Sequence, residues 1–296
     1  MKKVSISSWA IPQPIDQLAA GAKKLGFDGI SLGGFPPFGA NAKLLDTPDK
    51  ITTYKRHIQE NGIEIADYAI DIWQWDALTQ TQEWRSAFTD AIHFAKILDL
   101  TDIIRIDTDS APQLPDGMTY RQVKDFYIKQ FKEMAQEAAE LNLTIAWEFE
   151  PGFIINEPRS VAEVVKAVDE PNFGLCFDTC HAYNVALGLN GIEPDVLEGG
   201  ILEFIDLVSG YIKLVHVIDA DGTLNHDNTS EHVPFGEGKI DFDQVIPALL
   251  NQGKYTGDWW AIDLCEWPDA WAVTAKCKKF VDRFNKKYSE VGEGHE

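Results

Sequence analysis

The chain has few cysteines, no long apolar run and a deficit of positive charge, and each shortage narrows what it can be. Four cysteines occur in 296 residues, at positions 176, 180, 265 and 277, and none forms a CxxC pair. Cys176 and Cys265 sit in or beside apolar runs, where a thiol packs as a small hydrophobe. A disulfide framework is not expected. No apolar stretch reaches the ~18 residues of a membrane-crossing helix. The opening MKKVSISSWAIPQPID has two lysines but no apolar core of a leader and reads as a first strand. A cytoplasmic chain with reduced thiols and no membrane association is the expectation. Forty-seven acidic residues against 26 basic ones leave a formal charge of -21, with no basic stripe. Such a surface repels phosphate backbones, so nucleic acid is not an expected partner. The first strand also lacks a GxGxxG turn, which argues against a dinucleotide-binding open sheet.

What is present is an alternation of short apolar runs with longer amphipathic ones. Candidate strands lie at 4–9, 29–32, 63–68, 102–107, 144–149, 173–178, 212–217 and 260–264. Helical periodicity fills much of the space between. Residues 14–25 carry Ile15, Leu18, Ala19 and Ala22 on one face, with Gly26 as a stop. Asp46-Thr47-Pro48 opens a second helix and Asn61-Gly62 ends it. Helices are predicted over 81–98, 120–141, 161–168 (capped by Ser160), 244–251 (flanked by Asp241 and Asp243) and 270–287. Eight strands with intervening helices favour parallel βαβ units closed into a (β/α)8 TIM barrel; a doubly wound sheet is the alternative. One domain is expected over 1–296, with a polar tail from about 288. The loop at 219–238 shows neither helical nor strand period, which marks it as a candidate lid.

Four residues close apolar runs late in the chain: Glu148 in TIAWEFEP, Asp178 in FGLCFDTCH, His216 in IKLVHVID and Asp263 in WWAIDLCEW. Their spacings of 30, 38 and 47 residues suit one residue per strand end. In a barrel, such side chains converge at the C-terminal mouth. Carboxylates are uncommon inside apolar strands unless paired or metal-bound. Three of them with one imidazole suit a divalent cation. Singly, each has a bland reading, an ordinary salt bridge or a satisfied core histidine; four at consecutive strand ends point to a site. Glu150 shares the inward parity of Glu148. Arg105 and Asp107 on the fourth strand either reach the mouth or form a strand-to-strand ion pair. His57, His93 and His295 carry no signal.

The motifs AWEFEPG, LCFDTCHAYN, LVHVIDADG, VPFGEGKIDFD and AIDLCEWPDAW occur in the order found in the xylose isomerase-like TIM barrels. From Val4 to about Phe280 the chain resembles that family, in particular its sugar phosphate isomerase/epimerase group, with ketose 3-epimerases, hydroxypyruvate isomerase and inosose isomerase or dehydratase enzymes. The resemblance implies one divalent ion (Mn, Zn, Co or Mg) on Glu148, Asp178, His216 and Asp263, with Glu148 and Asp263 as the acid/base pair. It implies a small carbohydrate or polyol-ketone substrate, isomerised or epimerised through a metal-stabilised enediolate; inosose-type dehydration is the alternative. Apurinic endonucleases share this barrel, but they need a basic face and more histidines. A homo-oligomer is a further implication, and a non-catalytic sugar-binding relative is the rival outside enzymology.

Two departures stand out. Most relatives place Glu on strand eight, where this chain has the shorter Asp263, so either Asp263 or the nearby Glu266 is the ligand. Many relatives also have Arg before the Gly-x-Gly turn, where this chain has His232. By the same resemblance, His181, Glu150 and His232 contact substrate. Trp9, with Trp73, Trp75 and Trp267, is a candidate apolar wall for sugar C–H faces or an ordinary packing residue.

Overall fold

The computed structural model describes residues 1–289 apart from 109 and 194. Eight parallel strands close a barrel: β1 (Lys3–Ser7), β2 (Gly29–Gly33), β3 (Glu64–Ala69), β4 (Ile103–Ile106), β5 (Thr144–Glu148), β6 (Phe173–Asp178), β7 (Ile212–Val217) and β10 (Trp259–Ile262). Two further strands, β8 (Asp219–Leu224) and β9 (Ser230–Val233), form an antiparallel hairpin outside the barrel. All eight expected barrel strands are present, and the open-sheet alternative is set aside by the β1–β10 pairing.

The helices form where the amphipathic pattern places them: α1 (Ile15–Lys24), α2 (Pro48–Glu60), α3 (Thr81–Leu98), α4 (Tyr120–Glu140), α5 (Pro158–Val168), α8 (Phe242–Asn251) and α9 (Ala270–Ser289). Thr47 caps α2 through the Lys50 N–H, with Pro48 in its first turn. Thr119 and Gln122 form a reciprocal capping box on α4. On α3, Trp84, Phe88 and Ile92 are fully buried against the barrel. Burying each such side chain stabilises the fold by about 1.5–3 kcal/mol.

Four expectations need correction. Helix α5 starts at Pro158 with Glu157 as its N-cap, so Ser160 lies inside its first turn. Residues 219–238 are largely the β8–β9 hairpin. Helices α6 (Thr179–Ala186) and α7 (Gly200–Leu207) follow β6 and lack the expected sequence signal. Helix α9 continues through Ser289, so the first two residues of the expected polar tail are helical; the rest of that tail, with His295, lies outside the described residues.

Inside the barrel, Ala66, Ala146, Cys176, Leu214 and Trp259 pack with Ile103 as an apolar floor. A Cβ at Gly29 would lie 2.6 Å from the Trp259 ring and 2.8 Å from the Glu64 carbonyl, so this strand start has room for glycine alone. Polar side chains gather above that floor. Strand register sets Glu148 beside Cys176, Asp178 beside His216, and His216 beside Ala261. The four cysteines are free thiols. No helix among the described residues is long and apolar enough to cross a membrane.

Candidate metal centre at the barrel mouth

His216 is the hub. Its ring is fully buried, with Nδ1 3.0 Å from Glu148 Oε1 and 3.6 Å from Asp263 Oδ2, and Nε2 3.9 Å from Asp67 Oδ1. Asp178, His216 and Asp263 each offer a ligand atom, all within 4.8 Å of one another, and Glu148, Cys176 and His216 do the same. The four expected ligands thus meet in two triads that share His216. Burial disfavours a charged imidazole, but Cys176, Asp263 and Asp67 outweigh it and hold the His216 pKa well above its ordinary value.

Each carboxylate is positioned by its own strand end. Asp178 is also the N-cap of α6: its Oδ1 accepts from the Cys180 and His181 N–H groups at 2.7 and 2.9 Å. That fixes one oxygen and leaves Oδ2 buried without a partner. Burial pushes the Asp178 carboxyl up, against the pull of His232. Asp263 Oδ1 accepts from Ser7 Oγ (2.9 Å), Trp9 Nε1 (2.8 Å) and the Cys265 N–H (3.0 Å), while Oδ2 faces His216. Burial would raise Asp263, but His216, 3.6 Å away, and the nearby His232 and Arg105 hold it well below the usual carboxylate range. Glu148 pairs with Arg105 through Oε2 and receives the Cys176 thiol on Oε1 at 3.4 Å.

The expected substrate-contacting residues gather beside this cluster. The rings of His181 and His232 lie with centroids 4.8 Å apart, tilted by 55°. His181 Nε2 lies 3.7 Å from Glu150 Oε2, and His232 Nε2 lies 3.8 Å from Asp178 Oδ1. Burial, then the neighbouring His232, keeps His181 well below its ordinary pKa and therefore neutral. Burial, with Asp107 nearby, pushes Glu150 up to about 8, although Thr229 donates to it. The Trp9 ring stands 5.9 Å from that of His216. Glu266 is not brought here: its exposed carboxylate accepts from Asn225 at 2.6 Å and groups with His226 and Asp227 at the surface.

The donor set fits a cation. Asp178 Oδ2 and His232 Nε2 are buried without a hydrogen-bond partner, and His216 Nδ1, also without one, faces Glu148 Oε1 and Asp263 Oδ2. Leaving such atoms unmatched costs about 1–3 kcal/mol each, a cost that coordination to a metal ion removes. Carboxylate oxygens with imidazole nitrogens suit Mn, Zn, Co or Mg, and the buried thiols stay protonated because burial raises them.

The model for the family described as xylose isomerase-like TIM barrel matches residues 19–277. The chain belongs to this family. An uncharacterized protein of Methanocaldococcus jannaschii is 28% identical over 168 residues, 55% of this chain and 51% of its own length. A protein described as "Probable endonuclease 4" of Mycoplasma mobile is 28% identical over 103 residues, 35% of this chain and 34% of its own. The chain therefore spans about half, or a third, of these relatives. Among solved structures, an IOLI protein with a bound zinc atom superposes with a TM-score of 0.73 at 20% identity, covering 97% of this chain and 99% of that one. A D-tagatose 3-epimerase-like protein gives 0.71 at 22%, covering 96% and 99%. These likenesses establish the fold.

The sequence left two alternatives for the fourth strand, a reach to the mouth or a strand-to-strand ion pair, and the structure has both, with Arg105 of β4 paired to Glu148 of β5. Arg105 is buried and reaches the mouth, with Nη2 3.6 Å from Asp107 Oδ2 as well as the contact to Glu148. Its guanidinium lies 5.1 Å from the Trp9 ring centre and 5.8 Å from that of Trp73. Trp73 Nε1 donates to Asp107 Oδ2 at 2.7 Å, and Phe35 stacks on Trp73 at 4.8 Å. The shared parity of Arg105 and Asp107, two residues apart, was the available signal. Asp67 passed unnoticed because it sits mid-strand, tied to Ser31 on β2.

Proposed function

We propose that this chain is a divalent-metal-dependent isomerase or epimerase of sugars or polyol ketones, working by proton transfer at the carbon beside a carbonyl. One observation carries the reading: three buried strand-end residues, Asp178, His216 and Asp263, bring ligand atoms within 4.8 Å of one another, with Glu148 on the same imidazole. Glu148, Asp178, His216 and Asp263 would hold the ion. When bound, such an ion supplies positive charge beside the substrate oxygens, where negative charge develops as the proton leaves.

The chain's own groups do the rest. A C–H next to a carbonyl is a weak acid, and a carboxylate held within reach removes its proton. Glu148 Oε1 and Asp263 Oδ2 both flank His216 Nδ1, which supports them as the acid/base pair. Arg105 holds the other oxygen of Glu148, and Ser7 and Trp9 hold that of Asp263, so each carboxylate presents one defined atom. Neutral His181 donates or accepts at a substrate hydroxyl, with Glu150 and His232 beside it. Trp9 and Trp73 supply faces for C–H groups. Proton return to the opposite face gives an epimer, return to the adjacent carbon gives an isomer, and loss of a β-hydroxyl gives dehydration. The charge of -21 weighs against a polyanionic substrate such as DNA.

The test is deuterium exchange in D2O, followed by NMR on a panel of ketoses and inososes with Mg2+ or Zn2+ supplied. Exchange beside the carbonyl that disappears in Asp263→Asn is the expected result, and the product spectrum separates epimer, isomer and dehydration product. A protein that binds the ion yet exchanges no proton on any panel member would overturn the reading.

A further inference from the structure

Proteins capture phosphate or carboxylate groups with a small set of devices: guanidinium groups, helix N-termini and turns whose N–H groups converge. This barrel mouth has all three, and each is already filled by a carboxylate of the chain. Arg105 is engaged by Glu148 and Asp107. The N-terminus of α6 gives its Cys180 and His181 N–H groups to Asp178. The turn after β9, on the side where TIM barrels commonly bind phosphate, directs the N–H groups of Gly236, Gly238 and Ile240 at Asp219, at 2.9, 3.2 and 3.1 Å. Asp219 takes a fourth N–H from Ala220 at 2.9 Å. It is buried, and a Cβ at Gly238 would lie 2.3 Å from its Oδ1, so the turn has closed on this carboxylate.

The charge count runs the same way. Asp107, Glu148, Asp178 and Asp263 face the mouth, with Asp67 on the far side of the His216 ring, and Arg105 is the guanidinium set against them. One divalent ion does not reverse that balance. The surface exposed beside it is aromatic, from half-buried Phe35 and Trp73, which is 44% exposed.

We propose that the mouth selects uncharged polyhydroxy carbonyl compounds and excludes their phosphorylated or carboxylated counterparts, because among the described residues the guanidinium, the helix N-terminus and the N–H-rich turn are each occupied by an internal carboxylate. This rests on the proton-transfer reading above and names the substrate class within it.

The experiment uses the full chain loaded with Mg2+ and matched pairs: D-tagatose and its 6-phosphate, D-fructose and its 6-phosphate, and inorganic phosphate alone. Binding is read by calorimetry and by tryptophan fluorescence. A neutral sugar should bind at least about tenfold more tightly than its ester, as one unit charge in a partly desolvated site implies, and added salt should narrow the gap. Asp219→Ser, which frees the turn N–H groups, should gain affinity for inorganic phosphate; should it fail to fold, Asp107→Asn, which loosens the hold on Arg105, should raise affinity for the esters. An ester or inorganic phosphate bound by the native chain as tightly as the neutral sugar would overturn the proposal, as would failure of every neutral sugar to bind. Deuterium exchange on the same pairs separates the two readings. Exchange with an ester sinks the selectivity and leaves proton transfer standing; a neutral sugar bound without exchange does the reverse.

Discussion

The two halves of the mouth are built on different principles. The half from β1 to β4 is a packed assembly. Trp9 and Trp73 each donate their indole N–H to a carboxylate, flank the Arg105 guanidinium and are bridged by Phe35. The half from β5 to β10 is rich in imidazole. His181, His216 and His232 stand there with ring nitrogens that have no hydrogen-bond partner. The first half grips carboxylates, Asp107 of its own and Asp263 and Glu148 of the other half, while the second half keeps imidazole nitrogens available. The lesson is that the first half shapes and neutralises, and coordination belongs to the second.

The largest effect that would break this contrast is expected at the hub. His216→Ala should lower the affinity for Zn2+ or Mn2+ by at least about a hundredfold, more than loss of an outer-shell partner causes. Calorimetric titration measures it, and unchanged affinity would move coordination away from the second half.

Next comes the packed half. Arg105→Met leaves Glu148 and Asp107 buried without their counter-charge, an alteration that costs about 3–5 kcal/mol when one partner of a buried pair is removed. Urea unfolding in the presence of chelator reads it, and a loss under about 1 kcal/mol, the range of exposed pairs, would show that the guanidinium neutralises little.

The smallest effect is a slope. Burial raises the Glu150 carboxyl from an ordinary 4.5 to about 8 in the folded chain. Between those values the folded state keeps a proton that the unfolded state releases, so stability falls as pH rises through the window. Glu150→Gln removes that contribution. Urea midpoints of the metal-free variant should decline less from pH 4.5 to 8 than those of the native chain. Parallel profiles would mean that Glu150 is as well solvated as an ordinary surface carboxylate.

The barrel was legible because its strands and outer helices bury one-sided apolar patterns, as in the regular spacing of Trp84, Phe88 and Ile92. Helix α6 was not, because nearly all its residues are buried and no polar face marks a period. The β8–β9 hairpin hid for the opposite reason. Its underside carries His232 toward a polar site, so the sequence DADGTL…SEHV shows no apolar alternation. At the site, the strand-end carboxylates and histidine stood out as charges in apolar runs. The indole N–H bonds to Asp263 and Asp107 did not, since they join loops far apart in the chain.

The hairpin has one further consequence. Asn225 binds Glu266 after β10, Asn228 accepts from Asn190 after α6, and Thr229 donates to Glu150 after β5. A ribbon stitched to three separate loops is a wall rather than a door. Beside that wall, the stacked pair of Phe35 and Trp73 is aromatic surface turned to solvent, and a ligand that reaches the mouth there meets side chains held by ring contacts.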